Sequence, residues 1–288
     1  MTSIPRKILI QLDCDPQPST FDAVVAVDAG ADVLLRHANV TPDNCVPLVH
    51  GAMFTRGGAD LASTAIFVGG SDVTAAEAVA DRVRRTFFGP VRVGTLVDPS
   101  GANTTAAATV IAAGRHVMLD ARCRAVVLGG TGPVGQRVAR LLAGRGVRVW
   151  LSSRSAARAA EAVRRIEDAV PSAGLTVAVG DGPLAAALAA ADVIVAAGAA
   201  GVTLLDEAGR RAATAARVIV DLNAVPPAGV AGILVTDKAR EEGAVVLYGA
   251  LGVGGTKMKI HKAAIARIFA DTAAFLDAEE LLAIGERL

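Results

Sequence analysis

The stretch Ala125-Val126-Val127-Leu128-Gly129-Gly130-Thr131-Gly132-Pro133-Val134-Gly135 leaves a chain few ways to fold. A run of β-branched and apolar residues, suited to a strand buried on both faces, ends in glycines and passes directly into 136–142, where the apolar spacing is helical. The order is therefore strand, tight turn, helix. Gly130, Gly132 and Gly135 occupy the three positions of G-x-G-x-x-G. The first permits the turn, the second lets backbone approach a pyrophosphate, and the third lets helix pack on strand. Thr131, Pro133 and Val134 fill the places between, and the amides of the helix start face the phosphates. A second strand over 147–151 follows at βαβ distance and ends in Ser152, Ser153 and Arg154, where NAD-selective proteins carry an acid for the ribose 2′-hydroxyl. Two hydroxyls and a guanidinium suit a 2′-phosphate, so the reading is NADP before NAD. A solvated Arg154 at a helix start is the alternative.

The same rhythm runs through the chain. Before the fingerprint, strands at 7–12, 33–35, 64–68 and 91–97 each open into a polar or glycine-containing loop and then a helix. After it, strands are expected at 175–179, 193–195, 218–220 and 245–247. The fold class is α/β in two domains: a Rossmann dinucleotide-binding domain over about 121–253, and an N-terminal parallel α/β substrate domain over 1–120, completed by C-terminal helices from about 254 to 288. A short helix is expected from Thr41 with Pro42 in its first turn, Gly249–Gly255 reads as a flexible run, and Asp277 with Glu280 has capping-box spacing. Ala197 and Gly198, at a strand end, either border the cofactor or form a plain turn.

Composition removes several classes. Of 288 residues, 52% are hydrophobic and 20% charged, with a formal net charge of +1 and no long run of one sign, so neither a nucleic-acid groove nor an anionic membrane surface is indicated. Cys14, Cys45 and Cys123 are odd in number and widely spaced, the four histidines lack ligand spacing, and no signal peptide or spanning helix is visible. No metal and a cytoplasmic location are expected.

Asp13 and Asp15 end the first strand, and Asp22 lies at the following helix start, on the edge where open α/β sheets bind ligands. Simple pairing with the helix dipole is the alternative for Asp22.

With Asp13–Asp22, Val40–Asn44, Ser63–Gly70, Asn103–Ala108 and Gly252–His261, the fingerprint resembles the bacterial methylene-tetrahydromethanopterin dehydrogenases over nearly the full length. The resemblance implies oxidation of the methylene bridge of a reduced pterin to the methenyl form with NADP, NAD being possible in some members, within one-carbon metabolism; a few members also use methylene-tetrahydrofolate. It also implies a homo-oligomer. Asp13, Asp22 and Lys257 are then candidates for the reacting centre, and Asp15, Thr20, Phe21, Asn103, Thr104, Lys259 and His261 for the pterin. Asn223 and Gly252 join the fingerprint residues as cofactor candidates.

The chemistry agrees with that reading. A carbon flanked by two nitrogens needs no proton transfer, because the nitrogen lone pairs expel the hydride and leave an amidinium cation. Carboxylates have the sign to stabilise it. The folate-linked relatives that also hydrolyse the methenyl product use a lysine in the first domain, and the only one here before the fingerprint, Lys7, reads as part of a strand, so no cyclohydrolase activity is expected. A shikimate-dehydrogenase-like carbonyl reductase, disfavoured by the missing Lys-Asp pair, and a non-catalytic NADP sensor are the alternatives.

Overall fold

The computed structural model describes residues 5–171 and 174–288. They form two compact units, one running to Thr104 and taking in Met258–Leu288, the other comprising Thr105–Lys257. The chain passes from one unit to the other inside helices, at Thr104 and at Lys257, whereas the sequence reading put the boundaries near 120 and 253.

The first unit contains β1 (Ile8–Asp13), α1 (Thr20–Asp28), β2 (Val33–His37), α2 (Val46–Phe54), β3 (Thr64–Gly69), α3 (Val73–Thr86), β4 (Gly94–Val97) and the start of α4 (Ala102–Gly114). The second continues through β5 (Arg124–Leu128), α5 (Pro133–Ala143), β6 (Arg148–Ser152), α6 (Ala156–Ala169), β7 (Leu175–Ala178), α7 (Asp181–Ala190), β8 (Val193–Ala196), α8 (Glu207–Ala212), β9 (Val218–Asp221), β10 (Arg240–Glu242), β11 (Val245–Tyr248) and most of the way to the middle of α9 (Ala250–Ile268). The rest of α9, β12 (Phe275–Leu276) and α10 (Ala278–Gly285) belong to the first unit.

The first sheet has the order β12-β4-β3-β1-β2 and is parallel throughout. Its inner strands β1, β3 and β4 are buried on both faces, which is why they read as mostly apolar runs, whereas the edge strand β2 is partly exposed. Ile10, Leu12, Ile66 and Val68 form one core with Val49 and Met53 of α2 and Ala76, Val79 and Val83 of α3. The strand order reverses between β1 and β3, so the loops after those strands flank a crevice at the C-terminal edge.

The second sheet runs β10-β11-β9-β8-β5-β6-β7, antiparallel only at its β10 edge. Its six parallel strands have the doubly wound order 3-2-1-4-5-6, reversing between β5 and β8. Val126, Leu128, Ile194, Ile219 and Leu247 form its core with Ala187 and Leu188 of α7.

Local signals explain the helix starts. Ser19, Asp72, Ser155 and Asp206 each cap a helix by accepting a first-turn amide, worth about 1 kcal/mol apiece. The capping box at Asp277 and Glu280 forms as its spacing predicts. Two expectations need correction. Thr41 and Asn44 bond each other's backbone amides in a turn, and the helix begins later, at Val46, with Pro47 in its first turn. The glycines of 249–255 are not a flexible run, because α9 starts at Ala250. A Cβ on Gly252 would lie 1.8 Å from the Asp237 carbonyl oxygen, so glycine is there to admit another backbone.

Candidate active site

The loop after β5 makes the nucleotide turn, and the glycines divide the work differently from the sequence expectation. Gly129, with φ +67°, takes the left-handed conformation in the turn, a turn that the sequence reading credited to Gly130. Gly130 donates its N–H to the Ser152 carbonyl at 3.0 Å, and a Cβ there would lie 2.6 Å from Leu151 Cγ. A Cβ on Gly135 would lie 2.8 Å from both Gly129 O and Gly130 Cα, so α5 presses directly on the turn. Gly132 caps α5 in extended conformation, Pro133 opens it, and Gln136 Nε2 holds the Thr131 carbonyl at 2.8 Å. The first-turn amides, including those of Val134 and Gly135, have no acceptor within the helix. This is a backbone cradle that any Cβ would fill, and it fits a pyrophosphate.

The loop after β8 touches that turn at the strand-order reversal: a Cβ on Gly129 would meet Gly198 Cα at 2.6 Å and Ala197 C at 3.1 Å. Asn223, after β9, has its side chain committed. Its Oδ1 accepts from Gly201 N at 3.4 Å and Val225 N at 3.0 Å, and its Nδ2 donates to Pro227 O at 2.8 Å. Asn223 therefore braces the neighbouring loops. It is held in turn by Asp221, a buried carboxylate accepting from Asn223 N and Val230 N at 3.0 Å each. Burial pushes the Asp221 carboxyl above the usual aspartate value, against the pull of those backbone amides. The sequence reading passed over Asp221, which looks like the last residue of an ordinary strand.

At the end of β6, Ser152 is buried within the strand, and Ser153, half-buried, accepts the Ser155 amide on its hydroxyl at 3.2 Å. Arg154 is exposed on this turn. Arg158, exposed in the first turn of α6, was missed, although Ser155 capping the Arg158 amide marks that turn.

On the first unit, Asp13 is fully buried. Its carboxylate accepts from Asp15 N at 3.0 Å, Ser19 N at 2.9 Å and Gln11 Nε2 at 3.2 Å. Asp13 thus shapes the β1–α1 loop and is not presented to solvent, a correction to its candidacy at the reacting centre. Asp15 reaches across the reversal point to Ser71, accepting from its N–H at 2.9 Å and hydroxyl at 2.8 Å. Thr20 and Phe21 are exposed at the start of α1, and Asp22 is half-buried beside them. Cys14, in the same loop, has its thiol pushed up to about 11, chiefly by burial and then by Asp13 and Asp15, so it stays protonated.

Asn103 and Thr104 lie at the C-terminal end of β4 but face inward. Both are fully buried. Asn103 Nδ2 donates to Val97 O and Asp277 Oδ1 at 2.6 Å, and the Thr104 hydroxyl donates to Asp98 Oδ2 at 2.6 Å. They join the α4 start to β4 and α10, which corrects their reading as pterin contacts.

Lys257 is half-buried and Lys259 exposed, both in the middle of α9. His261 is buried, its ring stacked on Phe67 with centroids 5.8 Å apart and planes at 14°. It is a core residue, not a surface group on the pterin. Gly252 is occupied by its approach to Asp237. Lys7 precedes β1, exposed at the opposite edge of the sheet from Asp13. Among the described residues no cluster of His, Cys, Asp and Glu could hold a metal, and no helix is long and apolar enough to cross a membrane.

A doubly wound sheet with a glycine cradle at its reversal point, joined to a second parallel sheet, defines the class: a two-domain Rossmann-type dinucleotide-binding protein. A shikimate 5-dehydrogenase from Mycobacterium fortuitum shares this fold at 17% identity and a TM-score of 0.51, with 99% of each chain covered. Residues 20–100 match the family described as methylene-tetrahydromethanopterin dehydrogenase, N-terminal. Over 290 residues the chain is 43% identical to the Bifunctional protein MdtA of Methylorubrum extorquens AM1, covering 98% of this chain and 99% of that one. Over 266 residues it is 35% identical to the NAD(P)-dependent methylenetetrahydromethanopterin dehydrogenase of the same organism, covering 88% of each. The chain belongs to the methylene-tetrahydromethanopterin dehydrogenase family.

Proposed function

We propose that this protein takes a hydride from the methylene bridge of methylene-tetrahydromethanopterin, giving the methenyl form in one-carbon metabolism. The observation that carries the reading is end-to-end relatedness at 43% identity, over a chain whose glycine cradle fits a pyrophosphate. When bound, NADP supplies the hydride acceptor, and NAD offers the same chemistry where its missing 2′-phosphate is tolerated. The second unit holds the nucleotide with the β5, β6 and β8 loops. The first unit holds the pterin at its C-terminal edge, with Thr20 and Phe21 presented and Asp15 fixing the loop. Because the hydride leaves from a carbon between two nitrogens, the protein moves no proton; it orients the ring and offers negative charge to the amidinium. With Asp13 committed to its own loop and Asp15 bonded to Ser71, Asp22, half-buried at the start of α1, is the carboxylate proposed for that task.

Hydrolysis of the methenyl product would need a base at the same edge. Lys7 stands about 20 Å away along the six residues of β1, at ~3.3 Å per residue, which supports a dehydrogenase without cyclohydrolase activity. The same separation disfavours a carbonyl reductase that would use Lys7 as proton donor. A homo-oligomer in a reducing cytoplasm completes the reading; Val24 and Val27, each 56% exposed one turn apart on α1, and three free cysteines support it.

Incubation with NADP and methylene-tetrahydromethanopterin should give NADPH and accumulate the methenyl absorbance without its decay above the uncatalysed rate. Shikimate should give no NADPH. Turnover of shikimate, or of neither compound despite NADP binding, would overturn the reading, and an accelerated loss of the methenyl band would overturn the single activity.

Steady-state kinetics separate the roles of the two charges. Asp22→Asn should lower kcat about tenfold, ~1.4 kcal/mol of barrier, with little change in the Michaelis constant for the pterin. Lys257→Ala should raise that constant with kcat retained, since a cation useful for binding must sit away from the carbon that becomes positive. Full turnover in Asp22→Asn would remove it from the mechanism.

A further inference from the structure

We propose that Arg36, on the edge strand β2, is a positioning residue for the pterin-binding loop, acting through a buried Gln11–Asp13 relay. The inference rests on the reading that the C-terminal edge of the first sheet takes the pterin.

Gln11 is the anomaly that points to it. It is 2% exposed in the middle of β1, between Ile10 and Leu12, where an apolar residue would cost nothing and a buried amide is tolerated only if its hydrogen bonds are made. They are made toward function-bearing partners. The parallel register sets Gln11 beside Arg36, and residues two apart in a strand share a face, which sets Gln11 beside Asp13. Arg36 Nε donates to Gln11 Oε1 at 3.1 Å. Gln11 Nε2 donates to Asp13 Oδ2 at 3.2 Å and lies 3.4 Å from the Ser19 carbonyl. Asp13 then receives the amides of Asp15 and Ser19. A second arm closes the ring, because Arg36 Nη2 also donates to the Pro18 carbonyl.

The loop from Cys14 to Ser19 is thereby gripped at Asp15, Pro18 and Ser19 by one connected set of charge-assisted bonds, and Asn39 N donates to the Asp15 carbonyl at 2.9 Å from the β2 side. What remains presented is the loop tip and the start of α1: Pro16, Gln17, Thr20 and Phe21, all exposed. The guanidinium balances the buried Asp13 charge from the sheet edge, through a neutral amide, and touches none of the residues proposed to meet the substrate. Loosening it should therefore blur where Thr20 and Phe21 stand without altering the hydride step.

The test is a double-mutant cycle on the full chain with Arg36→Ala, Gln11→Met and the pair, read as the Michaelis constant for methylene-tetrahydromethanopterin at saturating NADP. Each single variant should raise it about tenfold, kcat and the Michaelis constant for NADP should change less than twofold, and the double variant should be no worse than the singles. Arg36→Lys should recover part of the loss. A pterin constant within twofold of wild type in Arg36→Ala, or a fall in melting temperature alone, would overturn the relay, as would additive effects in the double variant. If wild type itself shows no saturable dependence on the pterin while binding NADP, the pterin reading has failed and this inference falls with it.

Discussion

Gly135→Ala should raise the dissociation constant for NADP by at least ~100-fold, about 2.7 kcal/mol. The added methyl would stand 2.8 Å from Gly129 O and Gly130 Cα, both backbone atoms that cannot rotate aside. Either α5 lifts or the turn opens, and both movements take the first-turn amides away from the pyrophosphate. A control exists at the other end of the same helix: at Gly144, the C-cap of α5, the added Cβ would meet its neighbours at 3.4 Å or more, an ordinary contact, so Gly144→Ala should bind NADP as wild type does. Fluorescence titration checks both, with circular dichroism to show that the variants are folded. A Gly135→Ala protein binding within threefold of wild type would mean that the nucleotide does not use this turn.

Arg154→Ala should weaken NADP by about ten- to a hundredfold and leave NAD nearly unchanged. A hydrogen bond to a charged group is worth roughly 1.5 to 3 kcal/mol, and NAD lacks the 2′-phosphate that would receive it. Arg154 lies exposed between Ser153, half-buried with its hydroxyl engaged, and the Ser155 cap, so the guanidinium is free of the strand and held near its end by a rigid turn. Arg158, one helical turn further on, is a second cation on the same lip, and the residual NADP preference of the Arg154 variant measures it. Equal losses for both nucleotides would show that Arg154 does not read the phosphate.

The glycine turn was legible because its demands are local. A buried strand, a left-handed residue and a helix start each impose a residue type within eleven positions, and no distant contact can substitute for them. The parallel repeats were legible for the same reason, since apolar runs punctuated by caps are short-range patterns. β12, two residues long, left no trace in the sequence, because a strand that short is defined only by pairing Phe275 and Leu276 with Thr95 and Leu96.

The candidate residues divide along the same line. That Asp13 and Asp15 sit at a strand's C-terminal edge follows from the sequence, but which of two neighbouring carboxylates is spent on its own loop depends on where Ser19 and Ser71 come to rest, fifty-six positions away in the second case. Asn103, Thr104 and His261 have polar side chains suited to a ligand, and burial against Asp277, Asp98 and Phe67 turned them inward. Gly252 could have been a hinge, a cofactor contact or a packing glycine; only the Asp237 carbonyl passing at that point decides for the last. By itself, then, the sequence determined the strand–turn–helix units, the nucleotide cradle and the family, all of which rest on residue type at short spacing. The tertiary structure decided which polar groups face outward, because the choice between ligand and lattice of buried hydrogen bonds is made by partners the chain brings together from far apart.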